Sequence, residues 1–333
     1  MLLSRGGTSA VSALLLAFAV AACPAKTRVY AVSEVCGGST VTGWSSPRQV
    51  AVVQPDGTAY AENVEEPEVR DFGGARWLFF NDDPSNGNKD LRYARWDEAR
   101  QAFVVLGLLP GAGLQTPTVD GNPALDQDGG FFFISTRTYP NPSETIHAAT
   151  LTVTGSPPVA TVSGIRRLDG LTRSGAPWAS QGVQVTWDSQ WLFFDEAKFD
   201  GALPSQSDIV AARRSGATFT RLSDAELEAL LGKVNTATFL EYAEALSADG
   251  RELFFTRTWV DLTHLDQVVM CVMRSTRADA TGPFDLPGHL AVTNPVPGVV
   301  MEAPSLSPDE KTLYYHRRSV GEPFARLYAL DRQ

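Results

Sequence analysis

The chain has 333 residues, 28 Lys and Arg against 38 Asp and Glu, a net charge of −10 and 43% hydrophobic residues. That balance excludes a disordered chain, which lacks apolar surface to bury, and it excludes a nucleic-acid binder, whose surface must attract phosphate. The length also exceeds that of an ordinary single domain, so several domains or a repeated unit are expected.

The first segment, "MLLSRGGTSAVSALLLAFAVAAC", carries one basic residue, Arg5, and then an apolar run from Ala10 to Ala22 that ends at Cys23. A run of that length is too short to span a bilayer and suits the core of a secretory signal, so residues 1–22 are expected to be a leader. The ending "VAAC" resembles the bacterial lipobox; the alternative is a plain signal cut after an alanine. The lipobox resemblance implies a lipidated Cys23, a tether over 23–42 and a membrane-anchored protein of the cell envelope. Pro24, where an inner-membrane signal would have Asp, favours the outer membrane.

"GWSSPRQVAVVQPDG" (43–57) then reads as a single strand with no hairpin partner before it. After it a pattern recurs five times: "RDFGGARWLFFND", "LDQDGGFFFIST", "VTWDSQWLFFDE", "LSADGRELFFTR" and "LSPDEKTLYYHR". From Leu78 to Phe132 is 54 residues, and the next intervals are 60, 61 and 60. Each copy joins an apolar stretch to an aromatic strand through an Asp-containing turn. Asp128-Gly129 and Asp249-Gly250 are dipeptides suited to a tight two-residue loop. A third strand follows each copy, at 89–97, 144–152, 207–215, 266–275 and 325–332.

Four strands per unit at this period predict propeller blades. The last copy stops after three strands, and the 43–57 strand supplies the missing fourth. The expected fold is therefore an all-β, five-bladed β-propeller over 43–333, closed by an N-terminal strand that completes the last blade, with blades starting near 65, 121, 181, 242 and 302. Between the third and fourth copies, "LSDAELEALLGKV" (222–234) carries a capping box, Ser223 with Glu226, and predicts a short helix whose leucines cover the rim.

The phrase E-x-P-x-L-S-P-D-x-x-x-L-Y-Y at Glu302–Tyr315 resembles the TolB-like β-propeller repeat, a relative of WD-type repeats in bacterial envelope proteins. The first three copies depart from it, with Gly74 at the turn Asp in one and Val183 at the Pro304 position in another. The resemblance implies a scaffold whose members include both binding proteins and enzyme domains.

No G-x-S-x-G, H-E-x-x-H, Walker loop or metal-spaced Cys pair is present, so neither a metal nor a cofactor is expected. "NDDPSNGNKD" (81–90) fails as a calcium loop because Pro84 occupies a ligand position. Cys36 and Cys271 leave two readings open, a disulfide pinning the arm to the fourth blade or two unpaired thiols.

The remaining candidate is the channel mouth. Glu65, Gly121, Gln181, Tyr242 and Glu302 align just before the innermost strands, and ring closure brings Glu65 beside Glu302. With Glu66, Glu241 and Glu244 near, and Trp178 as an aromatic platform, Glu65, Glu66, Trp178, Gln181, Glu241, Glu244 and Glu302 form the expected site. Because Glu302 belongs to the repeat itself, the expectation is a non-catalytic, monomeric binder of an envelope protein, a glycan or a cation through the mouth or rim. The alternative is a glycoside hydrolase-like enzyme using the channel carboxylates.

Overall fold

The computed structural model describes residues 28–82, 88–138, 144–173, 177–199, 204–260, 265–319 and 321–333. The leader expected over 1–22, Cys23 and the middle of the 81–90 loop lie outside the described residues.

Five antiparallel blades surround a central axis. Blade 1 runs Glu65–Phe72, Ala75–Asn81, Leu91–Asp97 and Ala102–Leu108, and blade 2 runs Asp120–Leu125, Gly130–Ser135, Ile146–Thr154 and Val159–Arg167. In blade 3 the inner strand is split into Trp178–Ser180 and Gln184–Val185, followed by Trp191–Lys198, Gln206–Ser215 and Thr218–Arg221. Blade 4 comprises Leu240–Leu246, Glu252–Trp259, Val269–Thr276 and Gly288–Leu290. Blade 5 has Val300–Leu306, Thr312–Arg318 and Arg326–Asp331 from the end of the sequence.

The fourth strand of blade 5 is Arg48–Gln49, which pairs antiparallel with Tyr328 and Ala329. The arm does more than this. Thr40–Val41 adds a parallel strand outside Gly288–Leu290 of blade 4, and Val52–Val53 adds another outside Ala102–Leu108 of blade 1. One segment thus runs across blades 4, 5 and 1 in turn, and a disulfide between Cys36 and Cys271, with Cα atoms 5.5 Å apart, fastens its start to blade 4.

The second strand of every blade is apolar at successive positions because it is buried on both faces between neighbouring blades. Leu78–Phe80, Phe131–Phe133, Leu192–Phe194 and Leu253–Phe255 are all buried. Phe79 meets Phe131 across the joint of blades 1 and 2 at 5.6 Å between ring centres, and Phe103 meets Tyr314 across the joint of blades 1 and 5 at 6.4 Å. Such ring pairs bury large apolar areas in defined geometry.

Outside blade 1, where Phe72 pairs with Ala75 across a two-residue loop, the hairpins between first and second strands are longer than the two-residue loops expected. In blade 4 the Ser247 hydroxyl donates to Asp249 at 2.7 Å and accepts from the Glu252 amide at 2.9 Å. Ser307 and Asp309 repeat the arrangement in blade 5, and Thr186 and Asp188 in blade 3. The side chains satisfy backbone amides that a tight loop would have paired. The helix Asp224–Leu231 forms as its capping box predicts, and Leu227, Leu230 and Leu231 are buried against blade 3. Among the described residues no helix is long and apolar enough to cross a membrane.

Candidate active site at the channel mouth

Four of the five inner strands carry a kink near their start. Glu66, Asn122, Ala243 and Ala303 occupy the same place in blades 1, 2, 4 and 5, with φ of 48°, 51°, 52° and 53°. A pairing shift accompanies each one. Left-handed backbone at a non-glycine residue is costly, and a bulge offsets that cost by re-aiming an amide. The re-aimed amide reaches the preceding blade. Asn122 donates to Asn81 Oδ1 at 3.2 Å, Ala243 to Asp195 Oδ1 at 3.4 Å, Ala303 to Thr256 Oγ1 at 3.2 Å and Glu66 to His316 Nδ1 at 3.1 Å. The acceptors all stand three residues after the aligned Leu78, Leu192, Leu253 and Leu313, so each ends the apolar run of a second strand. Four of the five joints are therefore tied by the same hydrogen bond.

Around this ring the carboxylates differ sharply in environment. Glu302 is buried; its Oε1 lies 3.0 Å from His316 Nε2, and the Tyr242 hydroxyl donates to its Oε2. Because His316 Nδ1 accepts the Glu66 amide, its Nε2 carries the proton and donates to Glu302. Burial pushes the Glu302 carboxyl up, but the His316 and Tyr242 hydrogen bonds outweigh it and hold the group below the ordinary range. The Lys89 ammonium lies 3.1 Å from Glu65 and 3.2 Å from Glu66, and its charge also favours ionised Glu302.

Asp195 is the opposite case. Burial pushes it up to about 7 against hydrogen bonds from the Ala243 and Gly182 amides and Ser207. A Cβ at Gly182 would overlap Asp195 Oδ1, so the glycine makes room for this carboxyl. Glu244 beside it is raised well above its ordinary value, by burial and then by Asp195, and neither of its oxygens has a hydrogen-bond partner. Glu244 also breaks the repeat, standing where Pro67, Pro123 and Pro304 stand in three other blades. It faces an axial cavity of about 10 Å³, room for one water and far too small for a sugar ring. Tyr242 is raised by burial and then by the negative charges of Glu302, Asp195 and Glu66, which places its hydroxyl among three carboxylates.

The expected site residues divide accordingly. Glu65, Glu66, Gln181, Glu244 and Glu302 converge on the ring: the Gln181 carbonyl accepts from Asn122 Nδ2 at 3.0 Å, and the Glu66 carboxylate accepts from the Asn122 amide at 3.1 Å. Glu241 is fully buried beneath the Arg257 guanidinium, 2.7 Å away, with Thr236 donating to it; burial raises it to about 7. It serves the wall of blade 4 and is turned from the axis. Trp178 lies under Arg173, whose guanidinium carbon is 4.6 Å from the ring centre. Asp195, His316, Lys89 and the hydroxyl of Tyr242 were not singled out from sequence, although a polar residue closing each aromatic run was there to be read. Among the described residues no three His, Cys, Asp or Glu side chains converge as metal ligands would.

This is a five-bladed β-propeller with an acidic, tyrosine-containing mouth. No family model matches the chain, and no curated protein matches it. Solved structures do share the fold. A BT0996 RGII complex is similar over 87% of this chain and 91% of its own length, at 12% identity and a TM-score of 0.52. The catalytic domain of the Coprinopsis cinerea GH62 α-L-arabinofuranosidase is similar over 86% of this chain and 98% of its own, at 13% identity and a TM-score of 0.51.

These similarities correct two expectations. The fold is shared with glycoside hydrolase-like structures, so the resemblance to TolB-like repeats of envelope lipoproteins is overturned. The physical reason is that the phrase around Glu302 encodes turn chemistry, Ser307 with Asp309, that propellers of different families can share. The expectation of a non-catalytic binder is overturned with it, since the fold it rested on is also that of a catalytic domain.

Proposed function

We propose that the protein is a glycoside hydrolase-like enzyme that engages its glycan at the channel mouth. The buried pair Asp195 and Glu244 holds a proton between them, which Asp195 delivers to the departing glycosidic oxygen, and Glu302 acts as the ionised carboxylate that activates water or attacks the sugar carbon. Glycosidic cleavage requires two carboxyl groups held in opposite protonation states. The observation that carries the reading is this inequality: burial lifts Asp195 to about 7, while His316 and Tyr242 hold Glu302 charged. The glycan must be met at the mouth because the axial cavity of about 10 Å³ admits no ring. The named activity of the similar fungal domain, on α-L-arabinofuranosides, supplies the first substrate class to test.

The test is turnover of aryl α-L-arabinofuranosides and a wider glycan panel by the wild type, Glu302→Gln and Asp195→Asn. Wild-type hydrolysis that falls by at least a thousandfold in both variants, with melting temperatures kept, is expected. If both variants merely melt earlier and no glycan is cleaved by the wild type, the two groups serve only as ties of the ring and the proposal fails.

A further inference from the structure

We propose that a groove on the face opposite the mouth is a second ligand site, one that takes a carboxylate-bearing saccharide. It measures about 700 Å³, within the range of small-ligand sites, and is formed where the feet of the blade 1 hairpins meet Pro158 of blade 2 and Pro55 of the arm. The inner strand of blade 1 runs from the mouth at Glu65 to Phe72, so the Gly74 turn and the Asp97 end of the third strand belong to the far face.

The charge of the groove is at odds with that of the whole molecule. The protein carries −10, yet Arg76, Arg95 and Arg100 all line this one groove. Arg76 is engaged by Asp71, to which it donates twice, at 2.8 and 3.1 Å. Arg100 donates to the Pro55 carbonyl at 3.1 Å. Arg95 has one contact among the described residues, 3.5 Å to the Pro158 carbonyl, at the outer limit of a hydrogen bond. A guanidinium has five donors in a planar fork that matches a carboxylate, so most of the donor capacity of Arg95 is left for a ligand.

The other walls select among anions. Trp96 is held rigid, its indole N–H donating to Glu98 at 2.6 Å and its ring set edge-on to Phe103 at 5.1 Å. A fixed aromatic wall suits the apolar face of a sugar ring. Asp97 and Glu98 also line the groove. Asp97 already accepts the Ala99 and Arg100 amides at 3.0 and 3.1 Å and pairs with the Arg100 guanidinium at 3.6 Å, and Glu98 accepts from Trp96, so it is their remaining lone pairs that would repel a bare phosphate and accept from sugar hydroxyls. An arginine fork, an aromatic wall and two hydroxyl acceptors together describe an acidic sugar. This inference rests on none of the mouth residues, so it can fail or hold separately from the proposed hydrolysis.

Binding of a galacturonic acid tetramer to Glu302→Gln protein, in which hydrolysis at the mouth is disabled, is the test, read by calorimetry beside its methyl ester. Arg95→Ala is expected to weaken the acid at least tenfold with the melting temperature kept, the loss of one charge-assisted contact. Arg95→Lys should weaken it less, and the methyl ester should bind the parent at least tenfold more weakly than the acid. Failure of the parent to bind the acid, equal binding by Arg95→Ala, or displacement of the acid by millimolar inorganic phosphate would each overturn the site.

Discussion

Removal of residues 24–60 tests how the ring is held shut. The deletion takes away Val35, Trp44, Val50 and Tyr60, which are 0%, 5%, 4% and 2% exposed. Burying each such side chain is worth roughly 1.5–3 kcal/mol, so their loss costs on the order of 6–12 kcal/mol. That matches the entire stability of an ordinary domain, about 5–15 kcal/mol. The deletion also leaves Arg326–Asp331 as a bare sheet edge at the seam, an invitation to pair with another molecule. Size-exclusion chromatography and thermal melting followed by circular dichroism should show aggregate and no cooperative transition. A monomer that melts cooperatively within a few degrees of the parent would refute the reasoning, and with it the count of five closed blades.

Two smaller perturbations follow from the same structure. Cys36→Ser with Cys271→Ser opens a link across 235 residues, and in the chain-entropy account this should lower stability by about 5.5 kcal/mol; an unchanged urea midpoint would count against the tie. The Asp195 carboxyl, about 7 when folded against an ordinary 3.8, contributes its stability fully below pH ~4 and loses it as the pH rises through about 7. Asp195→Asn should therefore flatten the fall in urea midpoint between pH 5 and pH 8, leaving a residual slope from Glu241 and Glu244, and an unaltered slope would sink the assignment.

The architecture was legible because the repeat is carried by long apolar runs. Leu192–Phe194 and Leu253–Phe255 must be apolar at successive positions when both faces are covered, and that signal survives substitution. The closing strand was legible from a missing one. The arm's other two pairings were not, since Thr40–Val41 and Val52–Val53 are two-residue strands with no pattern of their own. Among the candidate groups, Glu302 and Glu65 were visible as members of an aligned column. Glu244 was visible beside that column, whereas Asp195 was not, because its own column of Asn81, Asp195, Thr256 and His316 keeps polarity but no residue type. Their importance comes from what burial does to a carboxyl, and burial is set by neighbouring blades distant in the sequence. His316 is not marked by its sequence neighbours for the same reason: its partners are the Glu66 amide, 250 positions away, and Glu302.

The route of the arm has a kinetic consequence. Arg48 meets Asp331 across a separation of 283 residues, so the segment that leaves the ribosome among the first cannot find its strand until the last has been made. Blades 2 and 3 are each contiguous in sequence and can form while synthesis continues. Blade 5 cannot, and the joints on either side of it wait as well. Closing so long a loop is slow, because its entropy is lost before any contact compensates. A chain halted before Arg326 would hold most of its blades and still be unable to shut the ring. Quality control of this protein therefore falls on its final strand.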